Sequence, residues 1–273
     1  MKRVTRVLLR QFARAARPYL ESQGLMRTTK VFSTSALIWE PGAERLLVLA
    51  PHMDDETIGC GGTLARHMRA GAKARVVFLT DGRGGDSSAR RLHTAARRAA
   101  QAQLISTRKE EARRALAILG IESISFLDAE DGMLAQDRSV GTRLREILAA
   151  ERPELIYVPH FVEQHPDHTA ASAVLFEALR ELSLNVQVLA YEVWTPLFPN
   201  CVVKIDDVLE VKKRALAEYR SQLAEFDYLH TSVALNAYRS AAFSGQHGRY
   251  AEAFCSLGVR DYQRMYAAYR GAP

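Results

Sequence analysis

The chain has 273 residues, enough for one large α/β domain or for a domain with a small addition. Its 48% hydrophobic and 25% charged residues exclude the composition of a disordered chain. Its three cysteines show no CxxC spacing, which argues against a disulfide framework and against a cysteine zinc site. No apolar run approaches the roughly 20 residues that span a bilayer. We therefore expect a cytoplasmic protein.

The net charge of +6 is concentrated at the N-terminus. Residues 1–30 hold eight of the 37 basic and one of the 31 acidic residues, which leaves 29 against 30, or about −1, for the remainder. Within residues 1–20, apolar side chains recur at helical spacing among arginines. We expect residues 1–44 to form a basic amphipathic extension. It would either contact a membrane surface peripherally or dock on the domain. We expect no nucleic-acid binding.

Residues 45–273 are expected to form a single domain in which strands and helices alternate. The predicted strands are Arg45–Ala50, Ala74–Thr80, Ile124–Leu127, Leu155–Val158 and Val186–Tyr191. The predicted helices are Gly61–Gly71, Thr107–Leu119, Thr142–Ala150, Thr169–Leu182 and Val211–Phe226. The uniformly apolar strands indicate a parallel sheet that is covered on both faces. The fold class is therefore α/β, Rossmann-like, with a mostly parallel sheet, helices on both faces and an elaborated C-terminal part.

Histidine- and carboxylate-rich loops follow two of these strands. Pro51-His52-Met53-Asp54-Asp55-Glu56 follows the first strand, and His165-Pro166-Asp167-His168 follows the fourth. Open α/β sheets bind ligands at the carboxyl ends of their strands. A histidine and carboxylate set with an open position is typical of catalytic zinc. We therefore predict that His52, Asp55 and His168 bind one zinc ion per chain.

The remaining polar residues of the two motifs suit catalytic roles. Asp54 is the candidate general base, because its neighbour Asp55 takes the ligand position. His165 is placed to stabilise an oxyanion, and Asp167 to hold an imidazole in the correct tautomer. Taken singly, each motif also suits a helix start, with acidic residues favouring the dipole and Pro166 beginning the helix.

These motifs resemble the PIG-L/LmbE family of zinc-dependent N-deacetylases, which act on N-acetylglucosamine-type sugars. The resemblance extends from Leu46 to Ala190 and more loosely to Phe254. It is carried by residues 47–62, Thr80-Asp81-Gly82, Arg108-Lys109-Glu110-Glu111 and His165-Pro166-Asp167-His168. Met53 stands where the family usually has proline.

The resemblance implies the zinc ligands and catalytic roles given above, and it adds two candidate substrate-binding residues. Arg108 and Glu111 fall on the family's Arg-x-x-Glu pattern, in which Arg108 would contact the sugar or an attached phosphate. The stretch 82–106 is longer than the family minimum and rich in arginine, so it is a candidate lid that recruits an anionic substrate. The alternative for this stretch is a solvated helical flap.

The expected function is zinc-dependent removal of the N-acetyl group from an amino sugar or glycoconjugate, which includes lipid-linked and nucleotide-linked sugars. One alternative is a deacylase or amidase of the same family that acts on an antibiotic or thiol-sugar precursor. An iron(II) oxygenase is a second, because two histidines and a carboxylate also form a facial triad. A non-catalytic module that uses the basic extension is a third. The oligomeric state is not readable from the sequence.

Overall fold

The computed structural model describes residues 36–243 and 248–271. The basic segment 1–20, with the membrane contact predicted for it, lies outside these residues. Among the residues that are described, no helix has the length and apolar character needed to cross a membrane.

The centre of the molecule is an eight-stranded sheet. Its strands are β1 Leu37–Ile38, β2 Arg45–Ala50, β3 Lys73–Thr80, β4 Ser123–Ala129, β5 Leu155–Pro159, β6 Gln187–Tyr191, β7 Cys201–Lys204 and β8 Ala251–Gly258. The spatial order is β1-β7-β8-β6-β5-β2-β3-β4. All neighbours pair in parallel except β8, which is antiparallel to both β6 and β7. The predicted α/β class with a mostly parallel sheet is confirmed.

Eight α-helices are found in the described part of the chain. They are α1 Asp55–Arg69, α2 Thr94–Leu119, α3 Arg138–Glu151, α4 Pro166–Arg180, α5 Leu209–Leu216, α6 Arg220–Leu223, α7 Tyr228–Phe243 and α8 Val259–Arg270. The strand β2 explains why they cover both faces: Leu47 and Leu49 pack with α3, α4 and α8, whereas Leu46 and Val48 pack with α1, α2 and α5. Alternate strand residues point to opposite faces, so a fully apolar strand needs cover on both.

The site is positioned by a reversal in strand order at β2. The chain runs from β2 outward to β3 and β4, and then returns to β5 on the other side of β2. At such a switch point, adjacent loops diverge to opposite sides of the sheet and leave a crevice between them. The two motifs follow β2 and β5, and the fold therefore brings them to the same crevice.

Three predicted helices differ most from the structure. The first begins at Asp55 rather than Gly61 and has a kink at Cys60, directly before the predicted start. Its glycines allow close packing, since a Cβ on Gly59 would lie 2.2 Å from the Tyr191 ring. The helix predicted from Thr107 begins at Thr94. The helix predicted over 211–226 is divided into α5 and α6, because the segment between them turns Tyr219 inward to hydrogen-bond Glu56.

Candidate active site

The first two ligand candidates lie where the loop after β2 enters α1, and the backbone there is unusual. His52 and Asp55 flank Asp54, whose φ of 140° is rare for a residue with a side chain. The His52 amide donates to Asp55 Oδ2 over 2.8 Å, which draws this carboxylate back toward the imidazole. A strained backbone that the surrounding structure maintains is characteristic of functional sites.

The structure brings together the three predicted zinc ligands. Asp55 Oδ2 lies 3.3 Å from His52 Nδ1 and 3.2 Å from His168 Nε2. All three residues are buried. The carboxylate thus lies between one nitrogen of each imidazole, and the donor set matches that of a catalytic zinc.

Two observations indicate that these residues fit a metal ion. His168 Nε2 is buried and has no hydrogen-bond partner, although it faces the Asp55 carboxylate. Burial alone would lower the pKa of His168, but Asp55 and Glu163 raise it to about 9. Burial likewise opposes charge on His52, yet Asp131, Asp167 and Asp55 raise its pKa. The carboxylates around these two histidines therefore stabilise positive charge. A bound metal cation would supply that charge in place of the protons.

The other ring nitrogen of His52, Nε2, faces two further carboxylates. His52 Nε2 lies 3.2 Å from Asp131 Oδ1 and 3.2 Å from Asp167 Oδ2. Ligand atoms of His52, Asp131, His165 and Asp167 converge within 4.8 Å, as do those of His52, His165 and His168. These groups include His165 rather than Asp55. We favour Asp55 as a ligand because one oxygen contacts both His52 and His168.

Asp131 belongs to neither of the two sequence motifs. It lies in the loop after β4, where its Oδ2 accepts a hydrogen bond from the Gly84 amide. An acidic residue after a predicted strand was the available signal, by the same strand-end rule that identified the two motifs.

Asp54 lies beside the three candidate ligands. In the described part of the chain, it forms no hydrogen bond with His52 or His168. Arg108 Nη2 is 3.4 Å from Asp54 Oδ1 and donates to the Met53 carbonyl over 2.8 Å. Burial raises the pKa of Asp54 to about 7, against the opposing effect of Arg108. Asp54 therefore combines a carboxylate held beside the ligands with a pKa near neutrality, the features expected of a general base.

The two predicted substrate residues occupy different places. Arg108 is buried, donates to the carbonyls of Met53 and Gly82, and lines the cavity described below. Glu111 turns instead toward α6, where it accepts hydrogen bonds from the Ser221 amide and hydroxyl. Arg108 thus remains a candidate for substrate contact, whereas the contacts of Glu111 anchor α6.

The second motif orients its own side chains. His165 Nδ1 accepts a hydrogen bond from the Asp167 amide over 3.2 Å, so the neutral ring carries its proton on Nε2. Burial, together with His52 and His168, lowers the pKa of His165 and favours that neutral form. His165 is therefore set to donate from Nε2. Asp167 accepts from the amides of Gly132 and Leu134 and contacts His52.

Glu163, which no sequence motif predicts, contacts His168 on the side away from Asp55. Glu163 Oε2 lies 3.6 Å from His168 Nδ1, and the carboxylate accepts hydrogen bonds from the backbone amides of Val193, Trp194 and Thr195. A carboxylate behind a ligating histidine is a recurrent feature of metal sites. The sequence does not reveal how Glu163 is anchored, because the three amides that bind it lie some thirty residues away.

Helix α1 is broken just beyond the ligands. Cys60 has φ −144° and ψ 16°, outside the helical region. Lys212 Nζ donates to the Ile58 carbonyl over 2.8 Å, while Glu252 accepts from the amides of Gly62 and Thr63. Lys212 and Glu252 are also paired with each other at 2.7 Å. The two charges satisfy backbone groups that the break leaves open.

Two of the candidate ligands and the candidate base face a cavity of about 470 Å³. His52, Asp54, Asp55, Arg108 and His165 line it. A larger cavity of about 630 Å³ lies between α3, α4 and α8, and is lined by no histidine. We assign the chemistry to the smaller cavity because titratable groups converge there.

The chain is similar to known deacetylases. The PIG-L family model, GlcNAc-PI de-N-acetylase, matches residues 47–179. A diacetylchitobiose deacetylase of Thermococcus kodakarensis is 30% identical over 200 residues, which are 67% of this chain and 71% of that protein. A 1D-myo-inositol 2-acetamido-2-deoxy-alpha-D-glucopyranoside deacetylase of Rhodococcus erythropolis is 34% identical over 178 residues, which are 57% of this chain and 60% of that protein.

A solved structure shows the same architecture. The N,N'-diacetylchitobiose deacetylase of Pyrococcus horikoshii, complexed with an inhibitor, aligns with a TM-score of 0.67 and 25% identity. The alignment covers 81% of this chain and 86% of that one. The family match includes both motif loops, and the resemblance inferred from them is confirmed. This chain belongs to the PIG-L/LmbE family of deacetylases.

Proposed function

We propose that the protein is a zinc-dependent hydrolase that removes the acetyl group from an N-acetylated amino sugar or its glycoconjugate. The observation that carries the proposal is the position of the Asp55 carboxylate between His52 and His168, with Asp54 beside it on the cavity wall. The similar proteins named above are deacetylases of such sugars. Family membership favours hydrolysis over the iron(II) oxygenase alternative.

The proposed zinc ligands are His52, Asp55 and His168. A zinc ion at this position would lower the pKa of water and polarise the acetamide carbonyl as a Lewis acid. Asp167 and Glu163 contact the far nitrogens of the two imidazoles and hold the rings in place. The nitrogens that face Asp55 are thereby held where they would bind the ion.

Asp54 is the proposed general base. It takes a proton from the attacking water at its carboxylate and returns that proton to the amine nitrogen as the C–N bond breaks. Arg108 holds the Asp54 loop by bonding the Met53 carbonyl and contacting the carboxylate. The products are the amino sugar and acetic acid, whose proton is then lost to the amine or to solvent, so Asp54 is regenerated as the carboxylate.

His165 is the proposed oxyanion donor. Its Nδ1 is occupied by the Asp167 amide, so the proton on Nε2 is available to the carbonyl oxygen as negative charge develops there. Its ring centroid lies 4.7 Å from that of His52, beside the proposed ligands.

Acetate release from a panel of N-acetylated sugars tests the proposal, together with the metal content of the purified protein. We expect close to one zinc per chain, acetate release that a chelator abolishes, and recovery when zinc is restored. The Asp54→Asn variant should retain zinc while its kcat falls by about 10²–10⁴-fold. Near-normal turnover of Asp54→Asn would remove Asp54 from the mechanism, and a protein that takes up no metal would overturn the proposal.

A further inference from the structure

The proposed general base stands on a backbone conformation that needs support. Asp54 has φ 140° and ψ −29°, a conformation that is costly for a residue with a side chain and persists only where its surroundings hold it. Because the Cα–Cβ bond turns with the backbone, these two angles decide where the Asp54 carboxylate points. The hydrogen bonds of the Asp54 backbone therefore bear directly on its proposed role.

The two sides of Asp54 are held in different ways. Its carbonyl accepts hydrogen bonds from the amides of Thr57 and Ile58, over 3.0 and 2.9 Å, as the first carbonyl of a helix does. Its amide donates to Glu56 Oε2 over 3.2 Å. The amide is thus held by a side chain, and the position of that side chain fixes the peptide group that precedes Asp54.

Glu56 is buried, and each of its oxygens has a partner. Oε2 accepts from the Asp54 amide, whereas Oε1 accepts from the hydroxyls of Thr57 and Tyr219. Burying a carboxylate is costly unless its oxygens are hydrogen-bonded. The two hydroxyls therefore hold the carboxylate in the position from which it reaches the Asp54 amide.

Tyr219 connects this carboxylate to a distant part of the chain. It lies between α5 and α6, 163 residues after Glu56. Its ring is buried in the hydrophobic cluster that also contains Met53 and Cys60. A close-packed ring leaves its hydroxyl little freedom to move. The Glu56 carboxylate is therefore held by a group from outside its own helix.

An ordinary helix cap does not account for this arrangement. An aspartate before the first helical residue usually turns its carboxylate back to the helix amides. The Asp54 side chain makes no such bond, and it lines the catalytic cavity instead. In a capping box, the glutamate that reaches back is the third helical residue, whereas Glu56 is the second. The bond to Glu56 thus accompanies a cap residue whose carboxylate is directed away from the helix.

We propose that Glu56 and Tyr219 are positioning residues for Asp54: through the Asp54 amide, they hold the backbone conformation that directs its carboxylate into the cavity. Neither residue lines the cavity, so both act through Asp54 and not on the substrate. The inference rests on the proposed function, in which Asp54 is the general base. It adds that turnover depends on a tyrosine hydroxyl that lies 163 residues from Glu56 in the chain.

Tyr219→Phe provides the first test, because it removes the hydroxyl and keeps the ring. For an N-acetylated sugar that the wild-type protein hydrolyses, kcat should fall by about 10–100-fold, since a small misplacement of a catalytic group is costly. KM and the zinc dissociation constant should stay within about twofold of wild type. The matched control is Tyr262→Phe, which removes a buried tyrosine hydroxyl that donates to the Ser172 carbonyl on the other face of the sheet. This control should behave as wild type.

Two substitutions of Glu56 test the carboxylate itself. Glu56→Met keeps the length of the side chain but removes the acceptor of the Asp54 amide, so kcat should fall at least as far as in Tyr219→Phe. Glu56→Gln keeps a carbonyl oxygen for that amide and should recover most of the lost kcat. Because both variants fill the same space, the recovery reports the hydrogen bond and not the packing.

A double-mutant cycle with Asp54→Asn separates positioning of the base from damage to the fold. The Asp54→Asn protein has no carboxylate base to position, so adding Tyr219→Phe should change the residual kcat by less than about twofold. An equal fall in kcat with and without the Asp54 carboxylate would overturn the positioning proposal. A kcat of Tyr219→Phe within about twofold of wild type would do the same. Both results leave the deacetylase function intact, because the wild-type protein releases acetate in each.

Crystal structures of the wild-type and Tyr219→Phe proteins supply a readout that needs no catalysis. In the variant, the φ of Asp54 should move to negative values and its carboxylate should turn back to the first amides of α1. An Asp54 that keeps its φ and its direction would overturn the positioning proposal, whether or not the protein is active. A wild-type protein that releases no acetate from any N-acetylated sugar would overturn the proposed function alone.

Discussion

The two sides of the His52 imidazole are built differently. On the Nδ1 side, Asp55 lies between His52 and His168, where a buried nitrogen has no hydrogen-bond partner. On the Nε2 side, Asp131 and Asp167 also hold backbone amides of neighbouring loops. Asp167 accepts two backbone amides, from Gly132 and Leu134, whereas Asp55 accepts one, from His52, so Asp167 has less remaining capacity to bind a metal. This difference favours our proposal that Asp55 binds the ion and that Asp167 supports His52.

Removal of a proposed ligand should have the largest effect. Asp55→Asn replaces the charge between the two imidazoles, so zinc affinity should fall by more than the 10–100-fold typical of outer-shell partners. Competition with a chromogenic chelator would measure the dissociation constant, with far-ultraviolet circular dichroism as the folding control. Zinc affinity within tenfold of wild type would mean that Asp55 is not a ligand.

Substitution of Asp167, which contacts His52 and is more deeply buried than Asp131, should have the next largest effect on zinc affinity. Asp167→Asn weakens the contact with His52 Nε2 and the bonds to the amides of Gly132 and Leu134. Zinc affinity should fall by about 10–100-fold, with turnover recovering at saturating zinc. The same chelator competition applies, followed by acetate release over a zinc titration. A loss larger than that of Asp55→Asn would reverse the assignment of the two sides.

Substitution of Glu163, the carboxylate behind His168, should lower zinc affinity by less than substitution of Asp167. Glu163→Gln keeps a similar shape but removes the charge that lies 3.6 Å from His168 Nδ1, a longer separation than the 3.2 Å between Asp167 and His52. We expect zinc affinity to fall by about tenfold. Because Glu163 also anchors the Trp194 amide, the Trp194 emission spectrum should shift in this variant. An unchanged spectrum would show that the amide bonds tolerate the substitution.

The smallest effect is expected at Asp131. Its side chain is partly exposed and bonds the Gly84 amide, so Asp131→Asn should lower zinc affinity by less than about tenfold. Isothermal titration of the apoprotein with zinc would measure this change. A loss equal to that of Asp55→Asn would instead place the ion among His52, Asp131 and His165, the alternative group of converging ligand atoms.

The sequence predicts the parts of this site that depend on local pattern. The strand Arg45–Ala50 has the predicted bounds because its apolar run is continuous and is buried on both faces. The convergence of His52, Asp55 and His168 follows from a general rule about strand ends. The roles assigned to them remain predictions, as do a lid over residues 82–106 and the membrane contact of residues 1–20.

The remaining features depend on contacts between distant parts of the chain. The sequence does not identify which side chains pack against the glycines of α1: in the structure they are Tyr191 at Gly59 and Ile205 at Gly62. The apolar periodicity over 211–226 predicts one helix, but Tyr219 and Ser221 are drawn to Glu56 and Glu111 and divide it. Neither partner is visible from the segment itself, because tertiary contacts override local propensity.

The break in helix α1 limits how the protein can be divided. The segment matched by the family model, residues 47–179, contains every proposed ligand and the proposed base. It lacks Lys212 and Glu252, which satisfy the backbone groups opened at the break from 154 and 190 residues away. A fragment that ends at residue 179 would leave those buried groups unpaired. Truncated or split forms of the protein should therefore keep the chain intact through β8, because Lys212 and Glu252 hold the part of α1 that follows the proposed ligands.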